Sequence, residues 1–396
     1  MTTQKQAGTQ ACRSVNIDIT ISQNLFNICL LVFLNRYELS FESFKEKVTA
    51  MNMVRLTIDD REIRASEGIT ILEAAKSAGI SIPTLCYHER LNPIGSCRMC
   101  VVEVDGQSEP VTACTTPVAD GIVIKTQSDR LYHLRQEALK RILINHPLDC
   151  PVCDKAGACM LQDLTVEYNI QAVDCPATKR NFIPSYQTTF IKHWPERCIL
   201  CLRCANACKE VQCIGAIDVT DTDDGPQLTF NRDKCVSCGE CVQVCPVGGM
   251  LEKKSSYRWR SWETTKIRTT CPYCGVGCQQ LLHVKNGRIV QVTGVEDAQP
   301  NKGRLCVKGR YGFDFIYSED RLKTPLIKEN GQFREATWDE ALDLITRKFQ
   351  EIIAKHGPDA IAGVSCARSI NEDSYNMQKL FRAVIGTNNI DHCART

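Results

Sequence analysis

Cysteine is the residue type in this 396-residue chain whose number and placement could do chemistry: there are 25. Most of them fall into four groups with short internal spacings and long gaps between groups. Cys86, Cys97, Cys100 and Cys114 read C-x10-C-x2-C-x13-C. His146, Cys150, Cys153 and Cys159 read H-x3-C-x2-C-x5-C. Cys198, Cys201, Cys204 and Cys208, and again Cys235, Cys238, Cys241 and Cys245, read C-x2-C-x2-C-x3-C. Cys271, Cys274, Cys278 and Cys306 read C-x2-C-x3-C-x27-C. Two cysteines separated by two residues can turn both sulfurs to one side, and outer cysteines then return from neighbouring segments. That pattern suits thiolates converging on a metal centre, whereas random usage would scatter them. A disulfide framework belongs to small secreted chains with paired cysteines, and this chain is neither small nor even in its cysteine count. A reducing, cytoplasmic setting is expected. For His146 and its three cysteines, zinc is the chemical alternative, because one imidazole and three thiolates also suit a tetrahedral ion.

Local signals indicate the elements that must carry these groups. A strand is expected over Val54 to Ile58, then a turn at Asp59-Asp60 and a helix opened by the capping box Thr70 to Glu73 and closed near Gly79. Two strands follow, Met99 to Val104 and Val111 to Cys114, giving a small mixed sheet with one helix around the first group. Gly95 and Ser96 are small enough for backbone N–H groups to approach the sulfurs. Helical periodicity over residues 130 to 145 puts His146 just past a helix end. A lone histidine there is more often a capping or surface residue, but three cysteines immediately downstream make it a candidate ligand. The duplicated eight-cysteine run is an internal repeat, each half offering a ligand loop, a short helix and strand segments. Strands at Gln280 to Val284 and Arg288 to Val292, around Asn286-Gly287, form a hairpin that brings Cys306 back to its group. Thr337 to Glu340 is a second capping box, opening a helix with apolar Ala341, Leu344, Ile345, Phe349, Ile352 and Ile353 that closes near Gly357. A strand from Ala360 to Val364 and a helix from Asp373 to Ile385 begin an α/β unit.

Several of these segments resemble known families. The first group, within LCYHERLNPIGSCRMCVVEV, resembles the β-grasp [2Fe–2S] domain at the front of complex I large subunits and related hydrogenases. The His146 group resembles the His-ligated [4Fe–4S] segment that follows it there. The eight-cysteine run, ending in Cys245-Pro246, is the two-cluster ferredoxin pattern in which the fourth cysteine of each run ligates the other cluster. On that pattern Cys198, Cys201, Cys204 and Cys245 hold one cube, and Cys235, Cys238, Cys241 and Cys208 the other. The fourth group, in CPYCGVGCQQ and GRLCVKGR, resembles the N-terminal [4Fe–4S] domain of molybdenum or tungsten bis-pyranopterin oxidoreductases, and its wording points to formate dehydrogenases. The resemblance implies that Lys308, two residues after the last cysteine, lies between cluster and pterin as a relay. Cys12, Cys29, Cys175, Cys213, Cys366 and Cys393 need no metal, and Cys213 is expected in the core.

The implied fold class is α+β and multidomain. A β-grasp [2Fe–2S] domain covers 51–130, a His/Cys-ligated [4Fe–4S] segment 131–175 and a two-[4Fe–4S] ferredoxin domain 185–255. A molybdopterin-oxidoreductase [4Fe–4S] domain covers 264–322, and the start of a pterin-binding catalytic α/β domain covers 323–396. Residues 1–50 are expected to be an extension of doubtful translation ahead of an initiator at Met51 or Met53. Their apolar run, Leu25 to Leu34, has about half the roughly 20 residues that a membrane span needs. FRAVIGTNNIDHCART resembles the stretch directly before the active-site selenocysteine or cysteine of formate dehydrogenases, so the chain is expected to be truncated there and to lack catalysis by itself.

The resemblance therefore implies one [2Fe–2S] and four [4Fe–4S] centres, with a Mo/W-bis-pyranopterin guanine dinucleotide in the full-length enzyme only. It implies oxidation of formate to CO2 there, with electrons relayed to a flavin- and NAD(P)-binding or ferredoxin-linked partner subunit. The alternatives are a standalone iron–sulfur electron-transfer subunit, or a complex I- or hydrogenase-related large subunit. A complex I subunit would not be expected to carry the eight-cysteine repeat. At 43% hydrophobic and 24% charged residues the chain is neither disordered nor collagen-like. A net charge of +2 gives no basic field to recommend nucleic acid.

Overall fold

The computed structural model describes residues 53–171, 173, 181–183, 185–254 and 259–393. The expectations for residues 1–50, for Cys12, Cys29 and Cys175, and for the end at Thr396 lie outside the described residues.

The first unit is built on β1 (Met53–Ile58), which pairs antiparallel with β2 (Arg61–Ser66) through Asp59 and Asp60, both at positive φ. Helix α1 (Ile71–Ser77) follows. Thr70 Oγ1 accepts from the Glu73 amide at 3.2 Å, and the Glu73 carboxylate accepts from the Thr70 amide at 2.8 Å, so the expected capping box is complete. Strands β3 (Val101–Val104), β4 (Val111–Thr112) and β5 (Val123–Lys125) finish a sheet of order β2-β1-β5-β3-β4, in which β1 and β5 run parallel. Alternate apolar residues Leu56 and Ile58 meet Ile71, Ala74, Ala75, Val102 and Ile124 in one core, which also encloses Cys100 and Cys114.

Two expected strands are shorter than their apolar content implied. β3 begins at Val101, because Cys97 to Cys100 form a ligand turn in which Arg98 takes φ 58°. β4 stops at Thr112, where the Thr115 amide donates to the Thr112 carbonyl at 3.1 Å and turns the chain at Cys114. β2 and β5 were not foreseen: β2 is an edge strand of mostly polar residues, and β5 is three residues long.

Helix α2 (Asp129–Leu143) is capped by Ser128, whose hydroxyl accepts from the Leu131 amide at 3.1 Å. Its buried Arg135 donates to the carbonyls of Val101 (2.7 Å) and Thr126 (3.0 Å), fastening the helix to the sheet. Arg135→Met leaves both carbonyls without that donor and is expected to cost about 2–4 kcal/mol in urea unfolding. A loss under half a kilocalorie would show that water replaces the guanidinium.

Beyond α2, helix α3 (Met160–Glu167) and the eight-cysteine region follow. There β6 (Ile191–His193) pairs antiparallel with β9 (Met250–Glu252), while β7 (Ile217–Thr222) and β8 (Gly225–Phe230) form a hairpin. Between them lie two short cysteine-bearing helices, α4 (Arg203–Asn206), continued by a wide turn Ala207–Val211, and α5 (Glu240–Gln243). Cys213 is exposed rather than in the core. Its φ of 55° marks the reversal after that wide turn, which carries the side chain outward.

Strands β10 (Thr265–Thr270), β11 (Gln279–Lys285) and β12 (Arg288–Gly294) form an antiparallel sheet, with Asn286 and Gly287 both at positive φ in the hairpin turn. Helix α6 (Val307–Tyr311) carries the return from Cys306. A hairpin of β13 (Leu326–Glu329) and β14 (Gln332–Glu335) precedes α7 (Trp338–His356). Only half of the second capping box forms: Thr337 accepts from the Glu340 amide at 3.2 Å, but the Glu340 carboxylate is taken by Arg334. The last elements are β15 (Gly363–Ser365), parallel to β16 (Ile390–His392), and α8 (Asn371–Lys379), continued by a wide turn to Ile385 and closed at Gly386.

Beside the core of the first unit, a second core draws on several of the expected units. One buried cluster joins Leu85 and Met99 from the first unit, Leu139, Leu143 and Leu164 from α2 and α3, Ile191 and Met250 from the β6–β9 pair, and Tyr311 from α6. Among the described residues no helix is long and apolar enough to cross a membrane.

Two interior histidines tie stability to pH. Burial pushes both His193 and His283 down to about 4, with the Lys266 charge adding at His283. Between pH 6.5 and 4 the unfolded chain therefore takes up protons that the folded chain refuses, so stability present above 6.5 is lost as pH falls through 4. The expected loss is about 2–3 kcal/mol per ring, and His283→Gln, which keeps a partner for Thr293, removes its share of the slope. Urea titrations of both proteins at pH 7 and pH 4.5 test this. Equal slopes would clear His283 of any part.

Candidate functional site

In the first group the thiols form two close pairs. The Cys86 amide lies 3.4 Å from Cys97 Sγ. A hydrogen bond from the Cys97 thiol holds Cys86 down at about 5, and Cys100 in the same way lowers Cys114. A [2Fe–2S] centre takes two thiolates on each iron, so the pairs Cys86–Cys97 and Cys100–Cys114 fit it. The Gly95 amide donates to Cys114, and the Ser96 amide and hydroxyl donate to Cys86.

That donation recurs in a form not read from the sequence. At Cys97, Cys153, Cys198, Cys201, Cys238 and Cys271 the amide two residues ahead points at the sulfur, from Met99, Lys155, Leu200, Arg203, Glu240 and Tyr273. Turning these amides inward puts Arg98, Leu200 and Leu202 at φ between 52° and 58°. Each such residue costs on the order of 1–2 kcal/mol. At these three nothing in the residue types announces it, whereas Gly239, between Cys238 and Glu240, takes φ 79° as a glycine readily does.

In the second group Cys153 feels the charges of Arg197, Asp149 and Cys150, and Cys159 that of Cys153. Burial lowers His146, whose ring faces Asp149 and Arg197 and whose Nδ1 is buried without a hydrogen-bond partner. Burial thus favours the neutral imidazole, the form able to bind a metal. It also lines a cavity with Cys97, Cys198 and Cys201, between the first and third groups.

The eight-cysteine region contains two cavities. One is lined by Cys198, Cys201, Cys204 and Cys245 with Leu228 and Met250. The other is lined by Cys208, Cys235, Cys238 and Cys241 with Ile191 and Phe230. Each thus receives three cysteines of one run and the last cysteine of the other. Burial pushes Cys198 and Cys201 up to about 12 and Cys204 and Cys241 well above the ordinary thiol range. Such thiols give up their protons only against a metal counter-charge. The cavities therefore suit cubes of iron and sulfide.

In the fourth group burial pushes Cys271 and Cys278 up, each also feels Cys274 and Cys306, and the nearby Lys308 charge opposes the rise at Cys271. The Lys308 ammonium is 5.8 Å from the centre of the Tyr273 ring. Buried Asn301, which carries no cysteine-like signal in the sequence, sets the return loop. It accepts from the Gln279 amide (2.8 Å) and donates to the carbonyls of Gln279 (3.0 Å) and Arg304 (2.9 Å), clamping the approach to Cys306 against the residue after Cys278. Cys366 and Cys393 lie apart from every group, their sulfurs 3.3 Å from each other. Among the described residues no group of three or more His, Cys, Asp or Glu side chains closes around a single metal ion.

The same order of units is found in known families. Residues 51–129 match the 2Fe-2S iron-sulfur cluster binding domain, 135–174 the NADH-ubiquinone oxidoreductase-G iron-sulfur binding region, and 197–249 the 4Fe-4S dicluster domain. Residues 264–318 match the molybdopterin oxidoreductase Fe4S4 domain and 321–396 the molybdopterin oxidoreductase family. Together these matches show iron–sulfur domains followed by a molybdopterin-oxidoreductase domain.

The chain is 42% identical to the NADPH-Fe(3+) oxidoreductase subunit alpha of Geobacter sulfurreducens (strain DL-1 / KN400), over 87% of this chain and 40% of that one. It is 37% identical to an NADH-quinone oxidoreductase protein of Rhizobium meliloti (strain 1021), again over 87% and 40%. A Staphylococcus aureus (strain MRSA252) protein with a formate dehydrogenase name is 34% identical, over 86% of this chain and 39% of its own. The chain thus spans about two fifths of the length of these relatives. The Rhizobium protein, which carries an NADH-quinone oxidoreductase name, aligns across the eight-cysteine region.

Proposed function

We propose that this chain is the electron-relay portion of a formate dehydrogenase. The observation that carries the relay is the crossed pair of four-cysteine cavities in the eight-cysteine region. Cys86, Cys97, Cys100 and Cys114 would hold a [2Fe–2S] centre. His146 with Cys150, Cys153 and Cys159, the two crossed sets, and Cys271, Cys274, Cys278 and Cys306 would each hold a [4Fe–4S] centre. When bound, these centres supply reversible one-electron storage. The chain's own part is to exclude water through buried Leu228, Ile191 and Met250 and to aim amides at the sulfurs.

Formate as substrate rests on the CPYCGVGC wording and on the relatives with formate dehydrogenase names. Lys308 would stand between the fourth centre and a pterin bound by the full-length enzyme. A flavin- or NAD(P)-linked, or ferredoxin-linked, subunit would receive the electrons in a cytoplasmic setting.

A second reading is favoured by one observation: the 42%-identical relative is named for NADPH and ferric iron. In that reading electrons enter from a nicotinamide-oxidising partner, and formate is not oxidised. Anaerobic full-length protein with its partner subunits is to be mixed with formate or with NADPH, and cluster reduction followed by electron paramagnetic resonance. Reduction by formate supports the first reading. Reduction by NADPH with none by formate overturns it in favour of the second.

A further inference from the structure

Three units meet at a buried ionic junction that none of the cysteine patterns requires. Arg310 lies on α6, four residues after Cys306, and its amide donates to the Cys306 carbonyl at 3.0 Å. Its side chain crosses to the eight-cysteine region. There Nε donates to the Cys238 carbonyl at 3.0 Å, one terminal nitrogen donates to Gln243 at 2.8 Å, and the other is 3.7 Å from Glu240. Arg90, from the first unit, reaches the same Glu240 at 3.2 Å and Glu296 at 3.0 Å. Arg310 and Glu240 side chains are both 1% exposed, whereas Glu296 lies at the rim with 43% of its side chain exposed. Two guanidinium groups therefore face one interior carboxylate, and the dry part of the junction carries an excess positive charge.

The close fit is backbone on side chain. Gly239 sits at φ 79°, and a Cβ there would come within 2.4 Å of Arg310 Cδ and of the Tyr311 hydroxyl oxygen. The guanidinium stem thus lies directly against the Cys238–Gly239 peptide. A buried charge at such range is weakly screened, and adding an electron to a cluster adds a negative charge that a neighbouring cation stabilises.

We propose that Arg310 sets the reduction potential of the centre held by Cys208, Cys235, Cys238 and Cys241, keeping it higher than the same ligands would give alone. It is a positioning and potential-setting residue and binds no iron. Arg310 also makes a short polar connection between the two neighbouring groups, from the Cys306 carbonyl through one residue to the Cys238 carbonyl. The inference rests on the cluster-binding reading above.

The test is a redox titration of the full chain, loaded anaerobically with iron and sulfide and followed by electron paramagnetic resonance. Dithionite is oxidised and supplies the electron, the cube is reduced, and no bond to the protein forms or breaks. Iron content and the number of signals in the unsubstituted chain test the cluster reading first. Arg310→Gln is then expected to make one [4Fe–4S] centre about tenfold harder to reduce, about 59 mV for one electron, with the others unmoved. Arg310→Lys, which keeps the charge and loses the planar fork, should recover most of the shift. Unchanged potentials in an iron-replete Arg310→Gln protein would overturn the proposal, as would equal shifts in both variants. Should Arg310→Gln lose that cube, Arg310→Lys and Glu240→Gln decide. A potential near the original in the first and a raised one in the second support the charge; no change in Glu240→Gln refutes it.

Discussion

Replacing Cys245 by alanine is expected to abolish the cube of Cys198, Cys201 and Cys204 and to leave the cube of its own run intact. The reason is spatial: the thiol of Cys245 lines the same cavity as those three, and its charge acts on Cys198, Cys201 and Cys204. Cys208 stands in the mirror position beside Cys235, Cys238 and Cys241. The double variants make the test quantitative. Cys245→Ala and Cys198→Ala, singly or together, should each lose about four iron atoms, whereas Cys245→Ala with Cys235→Ala should lose about eight. Additive loss in the first pair and not in the second would mean that each run ligates its own cube.

A comparable effect is expected from one methyl group. Gly294 ends β12, and a Cβ there would lie 2.0 Å from the carbonyl oxygen of Gly303 and 2.4 Å from its carbonyl carbon. Backbone cannot rotate away as a side chain does, so the loop from Gly303 to Cys306 has to move. Asn301 holds that loop to Gln279, and Leu305 is buried, so little slack exists. Gly294→Ala should destabilise the unit by about 4–5 kcal/mol and cost the centre that uses Cys306. Loss of about four iron atoms, with unfolding at markedly lower urea, checks both parts. Full iron content at unchanged stability would show that the loop yields freely. Gly287→Ala provides a contrast, because a Cβ there meets nothing within 4 Å and only the backbone conformation at φ 71° is strained. Its expected cost is about 1–2 kcal/mol, with no iron lost.

The order of the cysteine groups, the capping box at Thr70, the helix ending just before His146, the Asn286-Gly287 hairpin and the stop of α8 at Gly386 were all legible from residue types and spacing. Each depends on interactions within a few residues, where hydrogen-bond partners and allowed φ values are set locally. The crossed sharing of Cys208 and Cys245 was readable as a pattern, because the repeat carries it. Other features were not readable. β2 is a polar edge strand and β5 three residues long, so both exist only because β1 and β3 offer them partners. The reciprocal half of the second capping box is lost to Arg334, a competitor placed by the β13–β14 hairpin. The left-handed turns at Leu200 and Leu202 are carried by residues that disfavour them, and surrounding packing has to override that preference. The burial of Glu240 between Arg90 and Arg310 joins residues about 70 and 150 positions apart in the chain, from three separate units. The sequence by itself determined the spacing and order of the cysteine groups. Only the tertiary structure decided which charges surround them, because those contacts bridge segments whose separation in the chain carries no local signal.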